Sequence, residues 1–348
     1  MVSNVTKSVG FIGPGKVGCS LGRHISENGG DGFAVCGYFG RDREAALAAA
    51  AFAGGRAFST AEELAGECDL LLLTVPDGQI ADVWARLRAA LPAMRAGESR
   101  QLFVGHCSGS LDSRVFREEA PVMATAYSVG NDGFDPRVLG AYASGTAEAD
   151  TGVSSGLETR DSGNETAGPA RAAFGSIHPL VAVFDRENAY KRLAGAYFTL
   201  EGDEAFSGFA GELLSKLGNP FRTIDAAQKT LYHAASVMVS NLVCALAWEG
   251  MEMFKACGFD AGFAESAWKS LFLGNAENID ALGPVSALTG PVERGDAATV
   301  ARHLDALPGD AREIYRLLSR ELVKIAKQKN PGRDYAVLEL LLEKGKQL

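Results

Sequence analysis

A glycine-rich turn near the start of the chain has the residue types of a phosphate-binding loop. Its sequence is Gly13-Pro14-Gly15-Lys16-Val17-Gly18, and it lies between an apolar run and a helix-compatible segment. Glycines are needed at this spacing because the chain turns tightly, the backbone approaches a pyrophosphate, and the helix packs closely on the strand. The first helical N–H groups and the positive end of the helix dipole then face the phosphates. We therefore predict that these six residues bind a dinucleotide.

The end of the second apolar run indicates which dinucleotide binds. NAD sites usually place a carboxylate there for the ribose 2'-hydroxyl, whereas this run ends in Tyr38-Phe39-Gly40-Arg41. The Arg41 guanidinium can pair with a 2'-phosphate, and Arg43 lies close enough to assist. The alternative is a solvated helix start that Asp42 caps. We predict that the cofactor is NADP(H).

Two later turns follow apolar runs and would border the same crevice. In Thr74-Val75-Pro76-Asp77-Gly78, Val75, Pro76 and Asp77 are predicted to contact the cofactor, although Pro76 could simply end a strand and Asp77 could cap a helix. In Gly105-His106-Cys107-Ser108-Gly109-Ser110, His106 is predicted at the nicotinamide, with a buried core histidine as the alternative. Ser108 and Gly109 are predicted to contact substrate.

A second polar cluster opens an apolar helix in the later half of the chain. Lys229 and His233 are four residues apart and share one helical face, with Asn241 at the margin of the same stripe. In a carbonyl reductase, an ammonium or imidazolium stabilises negative charge on the substrate and supplies a proton. We predict that Lys229 and His233 are catalytic and that Asn241 binds substrate. The alternative places Lys229 in a solvated first turn and His233 in a packed interface.

The elements that must position these residues follow from the hydrophobic pattern. Short apolar runs alternate with helix-compatible segments, which is typical of a parallel sheet. The runs are Val9–Ile12, Phe33–Phe39, Leu70–Val75 and Leu102–Val104. Leu70–Val75 lacks alternation, so helices should cover both of its faces. Strand or loop is predicted at Gly175–Val183 and a strand at Ala196–Leu200. Helices are then predicted at Ala226–Ala256, Gly262–Leu273, Ala297–Ala306, Ala311–Lys327 and Tyr335–Lys344.

The predicted fold class is α/β, with an N-terminal Rossmann domain followed by an all-α domain. We place the NADP-binding domain at residues 1–218 and the helical substrate and dimerisation domain at 219–348. A stretch at about 130–172, rich in small and polar residues, is predicted to be a mobile insertion.

Bulk composition limits the partners and the compartment. The net charge of −9 argues against broad nucleic-acid binding, and no run reaches the roughly 18 apolar residues of a membrane helix. The six cysteines lie far apart, which suggests neither a metal cage nor a disulfide framework. The N-terminus shows no signal peptide, so we predict a cytoplasmic protein without nucleic-acid or membrane partners.

Six motifs together resemble the Rossmann-like proteins that carry a DUF2520 C-terminal domain. They are the Gly13–Gly18 fingerprint, the Thr74–Asp77 turn, His106–Gly109, Ser176-Ile-His178-Pro179, Lys229–His233 and Ala287–Asp296. That family is similar to the 6-phosphogluconate and β-hydroxyacid dehydrogenases and is related to ketopantoate and pyrroline-5-carboxylate reductases. The resemblance implies a catalytic lysine, which Lys229 matches, and an asparagine four residues later, where this chain has His233. It also implies dimerisation through the helical domain.

The residues and the resemblance together predict an NADP(H)-dependent oxidoreductase that acts on CH–OH or C=N groups. A small 2-oxo or hydroxy acid is the expected substrate, and a ketopantoate-like acid is the first choice by analogy with the family. His178 is predicted to hold a polar substrate group. Arg294 could clamp a carboxylate, although a solvated loop cation is the alternative. Two other functions stay open: a non-catalytic NADP(H) sensor, and a reductase of the F420-dependent or imine-reducing kind.

Overall fold

The structure is a computed structural model that describes residues 6–94, 101–117 and 172–343. The chain divides into two compact units, Met1–Ser236 and Val237–Leu348. The predicted insertion at about 130–172 lies outside the described residues, apart from its last one.

The first unit is built on one eight-stranded sheet in the order β3-β2-β1-β4-β5-β6-β7-β8. The strands from β1 to β6 run parallel, β7 runs antiparallel to β6, and β8 runs parallel to β7. The strands are β1 (Lys7–Ile12), β2 (Phe33–Phe39), β3 (Arg56–Ala57), β4 (Leu70–Leu73), β5 (Leu102–His106), β6 (Ala172–Pro179), β7 (Phe198–Gly202) and β8 (Phe221–Thr223).

Helices cover both faces of this sheet. They are α1 (Lys16–Asn28), α2 (Arg43–Ala53), α3 (Ala61–Glu67), α4 (Asp77–Met94), α5 (Ala189–Leu193) and α6 (Glu204–Lys216), with 3-10 turns at Ser113–Phe116 and Ala226–Gln228. Helix α7 (Lys229–Val239) follows the second turn, and its last three residues belong to the second unit. The predicted Rossmann-type region is therefore confirmed.

Strand β4 shows why its sequence lacks alternation. Leu70 and Leu72 belong to the core on the face covered by α1, α2 and α6, whereas Leu71 and Leu73 belong to the core on the face covered by α3 and α4. All four leucines are buried, as predicted for a strand covered on both sides. The strand order reverses between β1 and β4, so the carboxyl ends of these strands border the crevice where such folds bind ligands.

The predicted helix Ala226–Ala256 is wrong as a single element. A 3-10 turn precedes α7, and α7 is separated from α8 (Asn241–Ala256) at Ser240, whose φ of −125° and ψ of −80° are not helical. Serine side chains compete with the backbone for hydrogen bonds, and this weakens a helix interior. The apolar pattern continues across Ser240, so periodicity alone does not reveal the break.

The second unit is all-helical, as predicted. Its further helices are α9 (Ala261–Ala287), α10 (Pro291–Arg294), α11 (Ala297–Ala306), α12 (Gly309–Lys329) and α13 (Ala336–Glu343). Its core joins Val292, Val300, Leu304, Val323 and Leu338, among others. Helix α9 is longer than predicted and contains a kink, where Gly283 has φ of 73° ahead of Pro284.

Helices α8 and α9 carry apolar residues that the described chain leaves uncovered. Helix α8 has no buried residue, and α9 buries only Ala264 and Ala287. The exposed apolar side chains on these helices include Leu242, Leu246, Trp248, Phe263, Leu271, Leu273 and Leu282. By length and composition, Ala226–Ala256 is also apolar enough to cross a membrane, in contrast to the expectation from the sequence.

Candidate active site

The glycine-rich loop is tightly packed on one side and open on the other. Gly13 has φ of 107°, and a Cβ there would lie 2.8 Å from the backbone of Thr74. A Cβ on Gly18 would lie 2.6 Å from the Gly13 carbonyl oxygen, which accepts a hydrogen bond of 2.7 Å from Thr74 Oγ1. A Cβ on Gly15 would meet nothing within 4 Å. Gly13 thus allows the tight turn, Gly15 leaves room for a phosphate to approach the backbone, and Gly18 allows close helix packing, as in a dinucleotide-binding loop.

The start of α1 fits the phosphates of a dinucleotide. Gly15 is the N-cap residue, it provides no side-chain cap, and the first turn contains no acidic residue. The orphan N–H groups of such a turn and the helix dipole favour a bound anion. Lys16 is exposed beside them, and Val17 is partly buried.

The end of β2 fits a 2'-phosphate. Arg41 is exposed and makes no ion pair within the described part of the chain. Asp42 caps α2, because its Oδ1 accepts hydrogen bonds from Glu44 N at 2.9 Å and Ala45 N at 3.2 Å. Arg43 donates to Ser59 Oγ at 3.1 Å. The carboxylate at this position therefore stabilises the helix, and the Arg41 cation is available for a ligand.

The segments that follow β4 and β5 are joined by side-chain hydrogen bonds. Asp77 Oδ2 accepts hydrogen bonds from Ser108 Oγ at 2.6 Å and from Ser110 Oγ at 3.0 Å. Ser108 Oγ in turn accepts from Ser110 N at 3.1 Å and Leu111 N at 3.0 Å. The Ser108 hydroxyl is fully used within the protein, so it shapes this loop and is not free for the substrate contact predicted from the sequence. Val75 packs beside the core, while Pro76 and Asp77 are exposed.

His106 is a buried core histidine. This is the alternative to a nicotinamide contact that was given for it in the sequence analysis above. Its side chain is inaccessible to solvent, and its Nδ1 accepts a hydrogen bond of 3.2 Å from Ser108 N. Its Nε2 therefore carries the proton, 3.4 Å from the Asp112 carbonyl oxygen. Burial and the nearby Lys229 ammonium lower the pKa of His106 to about 4. A neutral, enclosed imidazole stabilises the loop and offers no surface to a cofactor, so the predicted nicotinamide contact does not fit.

Lys229 lies inside the first unit at the start of α7. Only 1% of the residue is exposed, its Nζ donates a hydrogen bond to Ser176 Oγ on β6, and Nζ lies 3.7 Å from Glu201 Oε2 on β7. Burial lowers the pKa of Lys229 to about 8, and the Glu201 carboxylate opposes that shift. The solvated first turn considered as an alternative is therefore wrong for Lys229.

Glu201 connects Lys229 to the loop after β5. Its Oε1 accepts from Ser113 Oγ at 2.8 Å, and its two oxygens lie 3.1 Å and 3.0 Å from Ser113 N. Ser176 Oγ lies 3.3 Å from Glu201 Oε2. Residues from four chain segments therefore meet at this carboxylate. Glu201 was not predicted from the sequence, because a single acidic residue after the apolar run Ala196–Leu200 resembles an ordinary strand end.

His178, Tyr232 and His233 form a cluster next to this buried pair. Tyr232 Oη lies 2.6 Å from His178 Nδ1, and the two imidazole rings pack edge to face at 5.9 Å. Burial lowers the pKa of His178 to about 4, so its ring is neutral near pH 7. A Cβ on Gly109 would lie 2.8 Å from His178 Nε2 and closer still to His233 Nδ1, so only glycine lets both rings reach this point.

The structure therefore brings together Gly109, His178, Lys229 and His233 from the residues predicted to act on substrate. The buried Nδ1 of His233 makes no hydrogen bond within the described chain. Asn241 and Arg294 belong to the second unit, where both are exposed, Asn241 at the start of α8 and Arg294 at the end of α10. Tyr232 was not predicted from the sequence, although its position between Lys229 and His233 in the same helical turn was a usable signal.

Two family models match the chain. Residues 8–94 match the family described as NADP oxidoreductase coenzyme F420-dependent, and residues 196–322 match the domain of unknown function DUF2520. The second match begins before β7 and includes Glu201 and Lys229. These matches confirm the resemblance to DUF2520 proteins and the predicted class of NADP-type oxidoreductase. No curated protein sequence matches the chain.

Solved structures share this fold. Protein TM1727 from Thermotoga maritima is 22% identical with a TM-score of 0.61, over 92% of this chain and 99% of that one. A candidate NADP oxidoreductase from Bacteroides fragilis is 17% identical with a TM-score of 0.59, over 92% and 100% of the chains. A pyrroline-5-carboxylate reductase from Coxiella burnetii is 14% identical with a TM-score of 0.51, over 93% and 98%. At these identities the likeness establishes the fold alone.

Proposed function

We propose that this protein is an NADP(H)-dependent reductase of a small C=O or C=N compound. The observation that supports this is that the phosphate-binding loop after β1, Gly109 after β5 and His178 near the end of β6 all lie along the carboxyl ends of the parallel strands of one sheet, with His233 packed on His178. Ligands of such sheets bind along this edge. When bound, NADPH would supply the hydride, and solvent water would supply the proton that the reduced oxygen or nitrogen takes up.

The chain's own residues supply binding and charge. The α1 N-terminus holds phosphate, and Arg41 pairs with the 2'-phosphate. Lys229, still mostly protonated at pH 7 with a pKa of about 8, places a positive charge behind the substrate pocket, where negative charge develops on the substrate oxygen or nitrogen. The partly buried His233 ring orients the substrate from beside His178, and His178 holds a polar substrate group. Lys229 is enclosed, so its contribution is electrostatic polarisation and not direct contact in this conformation.

We propose a small 2-oxo or hydroxy acid as the substrate class. Within that class, a ketopantoate-like acid is the first compound to test. Cyclic imines are the next class to test, because a pyrroline-5-carboxylate reductase shares the fold. Arg294 and Asn241 remain predictions for substrate contacts. A cytoplasmic location also remains a proposal.

Two other functions are tested with the same protein. A deazaflavin-linked NADP reductase is favoured by the description of the family matched at residues 8–94. A non-catalytic NADP(H) sensor would use the same loop without turnover.

The first experiment measures NADPH binding by fluorescence and then NADPH oxidation with a panel of 2-oxo acids, cyclic imines and oxidised F420. Turnover of an acid or an imine supports the proposal and gives the class, whereas turnover of F420 alone selects the deazaflavin reaction. His233→Ala should lower kcat/KM with the active substrate at least tenfold and leave NADPH affinity within about twofold. Tight binding with no turnover across the panel selects the sensor.

We also propose that two copies pair through α8 and α9. The large apolar side chains of a helix are normally covered, and α9 buries only two of its residues in the single chain. A second copy fits better than a membrane because Ala226–Ala256 contains Lys229 and His233 and is broken at Ser240. Sedimentation without detergent should give a dimer, and Leu271→Glu should give a monomer, whereas the exposed control Val337→Glu should stay dimeric. A monomeric wild-type chain, or one that requires detergent, contradicts the pairing.

A further inference from the structure

An arginine far along the chain holds the glycine-rich loop. Residues 180–188 connect β6 to α5, and Arg186 Nη2 donates a hydrogen bond of 2.6 Å to the Pro14 carbonyl oxygen, across 172 positions of sequence. The same nitrogen lies 3.3 Å from the Ala45 carbonyl oxygen in α2, and Arg186 Nε lies 3.2 Å from Cys19 Sγ in α1. One guanidinium therefore ties the loop to both helices that follow β1 and β2.

The contact with Pro14 determines where the next N–H group points. A trans peptide is planar, and its C=O and N–H bonds point in opposite directions. The described chain contains no cis peptide bond. Because Arg186 holds the Pro14 carbonyl, the Gly15 N–H is turned to the opposite side, and a Cβ on Gly15 would meet nothing within 4 Å. Thr74 holds the neighbouring Gly13 carbonyl in a similar way.

The segment that carries Arg186 is itself fixed. Asp185 Oδ1 accepts hydrogen bonds from Glu187 N at 2.8 Å and from Asn188 N at 2.6 Å, which closes a local turn. Further on, Asn219 Nδ2 donates to the Leu193 carbonyl at 2.7 Å. The partly buried Arg186 is therefore presented from an anchored backbone and needs little ordering when a ligand binds.

We propose that Arg186 is a positioning residue of the dinucleotide site. It holds the Pro14–Gly15 peptide in the orientation that directs the Gly15 N–H at the pyrophosphate, and it adds a positive charge next to a site for anions. This inference rests on the proposed function for the identity of the ligand, NADP(H), but its structural part concerns the loop alone.

The test compares Arg186→Met and Arg186→Lys with Arg192→Met. Arg192 is an exposed cation in α5, the helix that follows this segment, and it lies over the Phe184 ring. Arg192→Met removes the same charge without touching the loop. We expect Arg186→Met to raise the Kd for NADPH roughly tenfold, or about 1.4 kcal/mol, and Arg186→Lys to recover part of it. With the active substrate, the KM for NADPH should rise while kcat at saturation stays within about twofold. Arg192→Met should leave the Kd unchanged.

Amide hydrogen exchange without nucleotide separates this inference from the proposed function. Residues 13–20 should exchange faster in Arg186→Met than in wild type or Arg192→Met, while the thermal midpoint of the unliganded protein shifts little. Unchanged exchange with an unchanged Kd overturns the inference, and so does an equal loss of affinity in Arg192→Met. If the wild-type protein binds no NADPH, the proposed function fails, and the exchange data still decide whether Arg186 orders the loop.

Discussion

Lys229 Nζ lies 3.7 Å from Glu201 Oε2, and both side chains are almost completely buried. Removing one member of a buried ion pair leaves the other charge uncompensated, at a cost of roughly 3–5 kcal/mol. We therefore expect Lys229→Met to lower the free energy of unfolding by about 3 kcal/mol in urea titrations at pH 7.

The double variant Lys229→Met/Glu201→Gln is the matched control. Glutamine keeps an oxygen that accepts from Ser113 but removes the charge that Lys229 neutralised. Most of the lost stability should return. A double variant as unstable as Lys229→Met would show that packing of the lysine stem, and not charge pairing, dominates.

The stability should also depend on pH through Lys229. Burial lowers the pKa of its ammonium from 10.5 to about 8 in the folded chain. Between these values the unfolded chain binds more protons than the folded chain, so the free energy of unfolding rises with pH from 8 to 10.5. This stabilisation is present in full above pH 10.5 and is lost as pH falls through 8. The measurable quantity is the difference between wild type and Lys229→Met, since other groups titrate in the same window. A difference that is flat across it contradicts the lowered pKa.

Arg41 should select the cofactor. Arg41→Ala removes an exposed cation with no ion pair in the described chain, so it should weaken NADPH binding at least tenfold and leave NADH binding unchanged. Arg56→Ala is a control, because Arg56 is an exposed cation that already pairs with Glu67. Calorimetric titration with both nucleotides checks this. Equal losses for NADPH and NADH would place Arg41 away from the 2'-phosphate.

Gly109 should be intolerant of a methyl group. In Gly109→Ala the new Cβ would push against the nitrogens of His178 and His233, so kcat/KM should fall at least tenfold while the chain stays folded. Gly208→Ala in α6 is the matched control, since nothing lies within 4 Å of its Cβ and alanine favours a helix. Full activity of Gly109→Ala would remove the two histidines from the proposed site.

The parallel sheet and its phosphate loop could be predicted because their signals are local. Strand β2 begins and ends where the sequence predicted it, at Phe33 and Phe39, and the order of glycines at Gly13–Gly18 specifies both turn and helix. The broken helix at Ser240 could not be predicted, because a single polar residue in an apolar pattern gives no periodic signal.

The site was predicted less completely because its contacts join distant residues. Lys229 and His233 were found from their helical spacing, but Glu201 and Arg186 act through partners 25 or more positions away and have no motif of their own. His106 and Ser108 lie in the right loop, yet their polar atoms are used internally. Residue type and loop position do not reveal whether a polar atom is already satisfied.

The hydrogen bonds of Glu201 with Ser113 have a consequence for the integrity of the chain. Ser113 precedes residues 118–171 and Glu201 follows them, and β5 pairs directly with β6 across the same interval. The two parts of the chain that form the candidate site are thus held together by hydrogen bonds, independently of the peptide chain that connects them. A single protease cut within 118–171 should therefore yield two pieces that copurify and keep the pocket intact, as a non-covalent heterodimer made from one gene product.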